Sequence, residues 1–162
     1  KSSSETDALT KLANEAGLKR ALAADVERTN LGQSHGGLLV MFHFENLDLI
    51  HQSYGARCAD EAVVLVADAL QSQIRATDVA ARVEGGCFVL LFSDTDMESI
   101  MSRLQNLSLT LNSLTLAHKG EDIRVSLSLG LKSYTHGCNA HKIYEGVRDD
   151  LQRNRSLVLG VA

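Results

Sequence analysis

Two groups of side chains in this chain have the types and spacing to do chemistry. His43 and Glu45 stand two residues apart at the end of an apolar run, with His51 and Cys87 further along. Imidazole, carboxylate and thiolate are transition-metal donors, so these four could together hold such an ion. Their spacing matches no known ligand pattern, and each has an ordinary alternative. The histidines would then be surface or cleft residues, and Cys87, opening an apolar run, a small buried hydrophobe. No metal site is therefore expected. The second group is Arg75-Ala76-Thr77-Asp78. An arginine fork can grip a phosphate, and an aspartate three residues on can accept from N–H donors. Its plain alternative is a helix-terminal pair, with Arg75 at the negative end of the helix dipole and Asp78 in the turn.

Both groups must be positioned by the elements around them. Arg82-Val83-Glu84-Gly85-Gly86-Cys87-Phe88 lies between two apolar runs. Strands over Val79 to Val83 and Cys87 to Phe92, with Glu84-Gly85-Gly86 between them, predict a hairpin. Leu38 to Phe42 is a continuous apolar run, typical of a central strand buried on both faces, and places His43 to Glu45 at its end. A first helix is expected from Thr6 to Arg28, capped by Thr6 or Asp7, then a polar loop from Asn30 to Gly37. A short helix from Asn46 to Tyr54 should close at Gly55. The next, Asp60 to Ile74, carries the clearest stripe: Val63, Val66, Ala67, Leu70 and Ile74. Asp60 would cap it or serve a ligand. Further expectations are a helix from Asp96 to Leu107, a strand from Arg124 to Lys132, a helix from Ala140 to Gln152 and an edge strand over Leu157 to Val161. The order predicts an α/β (α+β) fold, a central, mostly antiparallel sheet flanked by helices.

Composition narrows the function. The 162 residues suit one domain, with 1–5 read as a linker and 6–162 as the domain. A net charge of −4 argues against a nucleic-acid surface. No apolar run reaches the length of a membrane span and no signal peptide opens the chain, so no membrane contact is expected within this segment. The opening Lys1-Ser-Ser-Ser-Glu5 suits a domain cut from a longer protein, and a membrane anchor upstream is compatible with it. Cys58, Cys87 and Cys138, odd in number and without CxxC spacing, read as reduced thiols in a cytoplasmic domain.

Several short segments together resemble the GGDEF family, the bacterial diguanylate cyclases, from Asp7 to about Asn154. Asp7 to Asn14 is similar to the opening D-x-L-T-G-L-x-N. His43-Phe44-Glu45 stands at the D-x-D metal strand. Tyr54-Gly55 with Asp60 resembles Y-G-H-x-x-G-D, with Ala56 and Ala59 departing from it. Val125 to Gly130 is similar to the late V-S-x-G strand, and Gln152-Arg153-Asn154 to the closing G-R-N. Matched on Arg82 and Phe88, the five signature positions read Glu84, Gly85, Gly86, Cys87 and Phe88.

The resemblance implies a palm-like nucleotidyl-cyclase fold and an enzyme that joins two GTP molecules with Mg²⁺ held by carboxylates. This chain departs at the positions that matter. The first metal-strand acid is His43, the signature acid is Gly86, the phosphate-facing lysine is Asp48, and the guanine-reading asparagine is His51. Glu45 keeps a carboxylate and Asp60 the guanine-edge acid. The expectation is a degenerate, catalytically inactive member with no catalytic residue and no cofactor. Arg75-x-x-Asp78 stands at the offset of the family's inhibitory site, which binds cyclic di-GMP. There arginine can also grip the O6 and N7 edge of guanine, and the aspartate can accept from N1 and N2. A second arginine is expected at such a site, with Arg148, Arg153 and Arg155 as candidates. The implied partners are cyclic di-GMP, an EAL-type phosphodiesterase domain or partner GGDEF protein, and a second copy of the chain. A nucleotide-free regulatory or dimerisation module and a residual cyclase are the alternatives.

Overall fold

The computed structural model describes residues 3–158. Before the first long helix, residues 6–13 form a tight turn in place of the expected helical start. Asp7 accepts hydrogen bonds from the Thr10 backbone N–H at 3.0 Å and the Thr10 hydroxyl at 2.7 Å. Lys11 takes a left-handed φ of 66°, and Thr6 pairs with Ala13. Short polar side chains here satisfy the backbone locally and so compete with the helix. Helix α1 therefore starts later and runs Glu15–Asn30, capped by Asn14, whose side chain accepts from Gly17 N at 2.9 Å.

The rest follows in the order β1 (Gly37–Phe44), α2 (Leu47–Tyr54), α3 (Ala56–Gln71), β2 (Val79–Glu84), β3 (Cys87–Phe92), α4 (Met97–Asn112), β4 (Thr115–His118), β5 (Glu121–Arg124), β6 (Leu127–Tyr134) and α5 (Ala140–Val158). Gly55, at φ 95°, turns the chain from α2 straight into α3. That early start places Asp60 inside the helix and exposed, which corrects the expectation that it caps one. Helix α4 is capped by Asp96, which accepts from Ser99 N at 2.8 Å.

Four antiparallel strands form the sheet, in the order β2-β3-β1-β6, and β4–β5 make a separate hairpin. Alternate residues of β1 and β3 point to opposite faces. Val40, Phe42, Phe44, Phe88, Leu90 and Phe92 pack with Ile50, Val63, Val66 and Leu70 of α2 and α3 and with Ile100 and Leu107 of α4. Leu39, Met41, Val89 and Leu91 pack on the other side with Leu18 and Leu22 of α1 and Ile143, Val147 and Leu151 of α5. Burial on both faces is why these strands are apolar throughout.

The expected strand from Arg124 to Lys132 is instead two strands, broken at Val125-Ser126. Val125 N donates to Leu114 O at 3.1 Å and Ser126 N to the Asn46 side chain at 3.0 Å, taking both out of the sheet ladder. In β6 the closest approach to α5 falls on Gly130. A Cβ on Gly130 would come within 2.4 Å of Leu151 N, so the helix rests directly on the strand. Leu129 and Leu131 lie on the opposite face and are each 37% exposed. The outer edge of β6 is covered by α5 side chains: Leu131 N donates to Asp150 at 2.8 Å, and Asn154 donates to Leu129 O at 2.6 Å. Occupied edge groups are poor templates for another strand. Of the edge strand expected over Leu157 to Val161, Leu157 and Val158 belong to α5, and the remainder lies outside the described residues.

Candidate functional site

The end of β1 is fixed from both sides. His43 stands opposite Cys87 of β3 and Ser128 of β6. Phe44 N donates to Gly86 O and Glu45 N to Ser126 O, both at 2.8 Å, so the hairpin turn and the β5–β6 junction hold the strand end in place. Asn46 completes the tie, donating to Arg124 O at 2.8 Å and accepting from Ser126 N. Its position before α2 suggests a helix cap, but it makes no capping bond and stitches the site loop to the sheet. The signature hairpin is latched by Arg82, which donates to Gly85 O at 2.9 Å and to Asp7 at 3.3 Å. Burial would push the Asp7 carboxyl up, but Thr10 and Arg82 outweigh it and hold it below the usual carboxylate range.

The retained acid, Glu45, is not free. Arg155 of α5 donates Nε to Oε2 at 2.7 Å and Nη2 to Oε1 at 3.3 Å, a two-point clamp. His43 Nδ1 lies 3.3 Å from Oε1, buried and without an aligned hydrogen bond. Burial alone would raise the Glu45 carboxyl, but Arg155, Ser128 and the His43 ring hold it below its ordinary value. Cys87 behaves in the opposite way. Burial and then the Glu84 charge push its thiol up, so it is not a ready thiolate. A cavity of about 120 Å³ lies beside these groups, lined in part by Met41, His43, Cys87, Arg148 and Gln152. Asp48, His51, Asp60, Glu84 and Gly85 are exposed, while Gly86 and Cys87 are half-buried.

A hard divalent ion wants several carboxylate oxygens. Here Gly86 offers none, His43 offers nitrogen, and both oxygens of Glu45 face a guanidinium. The residues present do not fit such an ion. Among the described residues no three His, Cys, Asp or Glu side chains are placed to share one.

Arg75 and Asp78 do come together, with a partner the sequence did not indicate. Asp78 is fully enclosed. It accepts from the Arg75 backbone N–H at 2.9 Å, from the Arg75 guanidinium at 3.0 and 3.2 Å, and from Ser93 N at 3.2 Å. Arg103 of α4 closes the cluster, donating to Asp78 at 2.5 Å and stacking on the Phe92 ring at 4.2 Å. Burial would push the Asp78 carboxyl up, but these donors hold it below its ordinary range. The arginine beside this pair is thus Arg103, which sits 25 residues beyond Asp78 and is brought back only by the β3–α4 connection. Arg153 and Arg155 pair with Asp150 and Glu45, and Arg148 lies over Tyr144. Arg75 keeps about half its side chain exposed (48%) at a cleft of about 610 Å³, whose lining also includes Arg28, Ser34, Thr77 and Asp94.

Residues 4–157 match the family model described as diguanylate cyclase, GGDEF domain. The chain is 27% identical over 150 residues to diguanylate cyclase DgcP of Pseudomonas aeruginosa, a match covering 91% of this chain and 22% of DgcP. It spans less than half the length of each of the curated relatives it matches. The GGDEF domain of DgcB from Caulobacter crescentus, solved with cyclic di-GMP, superposes with a TM-score of 0.86 at 20% identity, covering 99% of this chain and 92% of that one. Diguanylate cyclase SiaD of Pseudomonas aeruginosa, solved with its activator SiaC, also gives 0.86, at 22% identity over 94% of this chain and 58% of SiaD.

Proposed function

The chain belongs to the GGDEF domain family of the diguanylate cyclases, and from that premise we propose that it is an inactive member that binds cyclic di-GMP at Arg75 and Asp78 and regulates an attached domain or partner. The observation that carries the inactivity is the state of Glu45. Its carboxylate is the one acid retained on the metal strand, and Arg155 engages both its oxygens. Two further changes act in the same direction. Gly86 has no side-chain oxygen, and Asp48 in the first turn of α2 would meet a triphosphate with repulsion of roughly 4 kcal/mol per close pair at an effective dielectric near 20.

Binding at Arg75 is supported by its half-exposed side chain, by the cleft it faces and by Arg103 close behind. Because Asp78 is saturated by internal donors, a guanine edge reaching it must displace the Arg75 guanidinium. That exchange would free the fork for guanine O6 and N7 or for a phosphate. The same saturation favours a second reading, in which the Arg75–Asp78–Arg103 cluster is purely structural and the domain is a nucleotide-free regulatory or dimerisation module for an EAL-type phosphodiesterase.

Calorimetric titration with cyclic di-GMP and GTP, side by side on wild type and Arg75→Ala, separates the readings. The expected result is binding at micromolar concentration or tighter that Arg75→Ala abolishes, and no cyclic product from GTP with Mg²⁺ or Mn²⁺. Binding indifferent to Arg75→Ala removes the site, absence of binding selects the second reading, and ordinary turnover overturns inactivity.

A further inference from the structure

The contact between Glu45 and Arg155 joins two positions 110 residues apart at the point where a cyclase needs its metal. We propose that Arg155 is a built-in cation that takes the place of the divalent ion, so the cleft is closed to Mg²⁺ and Mn²⁺ by its own helix α5. The inference rests on the reading of this cleft as degenerate and adds the residue that occupies it.

Three observations carry it. Glu45 and Arg155 are only 11% and 28% exposed, so their mutual charge is poorly screened by solvent. The pairing uses both carboxylate oxygens, the atoms a metal would need. Arg155 is also steadied within α5 by Gln152 Oε1 at 3.3 Å, and Asn154 pins the neighbouring turn to β6. A divalent ion at Glu45 would have to expel the guanidinium and leave two cationic groups crowded in a small cavity. His43 adds a ring nitrogen 3.3 Å from the same oxygen, too little to compensate.

Manganese binding to the whole chain, read by water-proton relaxation without any nucleotide, tests the proposal. Wild type and Arg155→Lys, which keeps the charge, should bind Mn²⁺ no more tightly than their Glu45→Gln counterparts. Arg155→Met should gain Mn²⁺ affinity on the order of tenfold, lost again when Glu45→Gln is added. A simple tether between α5 and the sheet would produce no such gain. A wild-type Mn²⁺ site abolished by Glu45→Gln overturns the proposal, as does a Met variant with native circular dichroism and no gain. Should the Met variant fail to fold, Mn²⁺ at Glu45 in wild type or Arg155→Lys overturns the proposal, and its absence from both supports it. Manganese at Glu45 in a chain that still makes no cyclic product would sink this inference alone and leave the inactive reading standing.

Discussion

At the scale of single residues, the departures from the family pattern differ in kind. Gly86 is not imposed by space. A Cβ there would meet Leu47 and Phe44 at 3.3 Å, a tight but adjustable fit, so what is missing is an acid and not the room for one. Glu45 is the reverse case, an acid still present but already paired. Asp78 has partners that a short motif cannot show: Arg103 and Ser93 as well as Arg75. With its side chain wholly enclosed between two arginines, Asp78→Asn should destabilise the domain by about 3 kcal/mol, because Arg103 would be left without its counter-charge. Arg75 is half exposed, so Arg75→Ala should cost only about 1 kcal/mol. Urea unfolding of the two variants checks this difference. It also establishes that Arg75→Ala remains folded and is a fair probe of ligand binding.

At the scale of elements, the decisive contact is α5 on β6. Leucines alternating along β6 suggest that they point to the core, but the close approach of the helix falls on Gly130 instead. At Gly130 the atoms a Cβ would strike are backbone: Leu151 N and Cα at 2.4 and 2.7 Å and Val147 O at 2.8 Å. None can move without shifting the helix. Gly130→Ala should therefore lower stability by about 2–3 kcal/mol and loosen the Arg155 clamp with it. Thermal melts, together with faster amide exchange at Leu129 and Leu131, would report both effects. The N-terminal turn departs from the helical pattern for a related reason. Leu9 and Leu12 follow helical spacing, but the Asp7–Thr10 hydrogen bonds and the Arg82 latch stabilise a turn there, and spacing alone cannot register side chains that compete for the backbone.

At the scale of the whole molecule, three carboxylates tie distant parts of the chain together: Asp7 to Arg82, Glu45 to Arg155 and Asp78 to Arg103. All three are held below their ordinary range in the folded state. The sign follows directly. Their stabilisation is fully present above the unfolded carboxylate range and is lost as pH falls through the depressed folded values. Unfolding midpoints should accordingly be flat near neutrality and fall steeply below roughly pH 4, with Glu45→Gln flattening part of that fall. Melting curves across pH would show it. The sequence by itself determined the order of most strands and helices, the family resemblance and the loss of acids at 43 and 86, because periodicity and residue type are local properties. Tertiary structure alone decided that Arg155 closes on Glu45, that Arg103 completes the Arg75–Asp78 cluster and that Asn46 ties the site loop to the sheet. Those pairings join residues 25 to 110 positions apart, and only the packing of helices on the sheet fixes which charges meet.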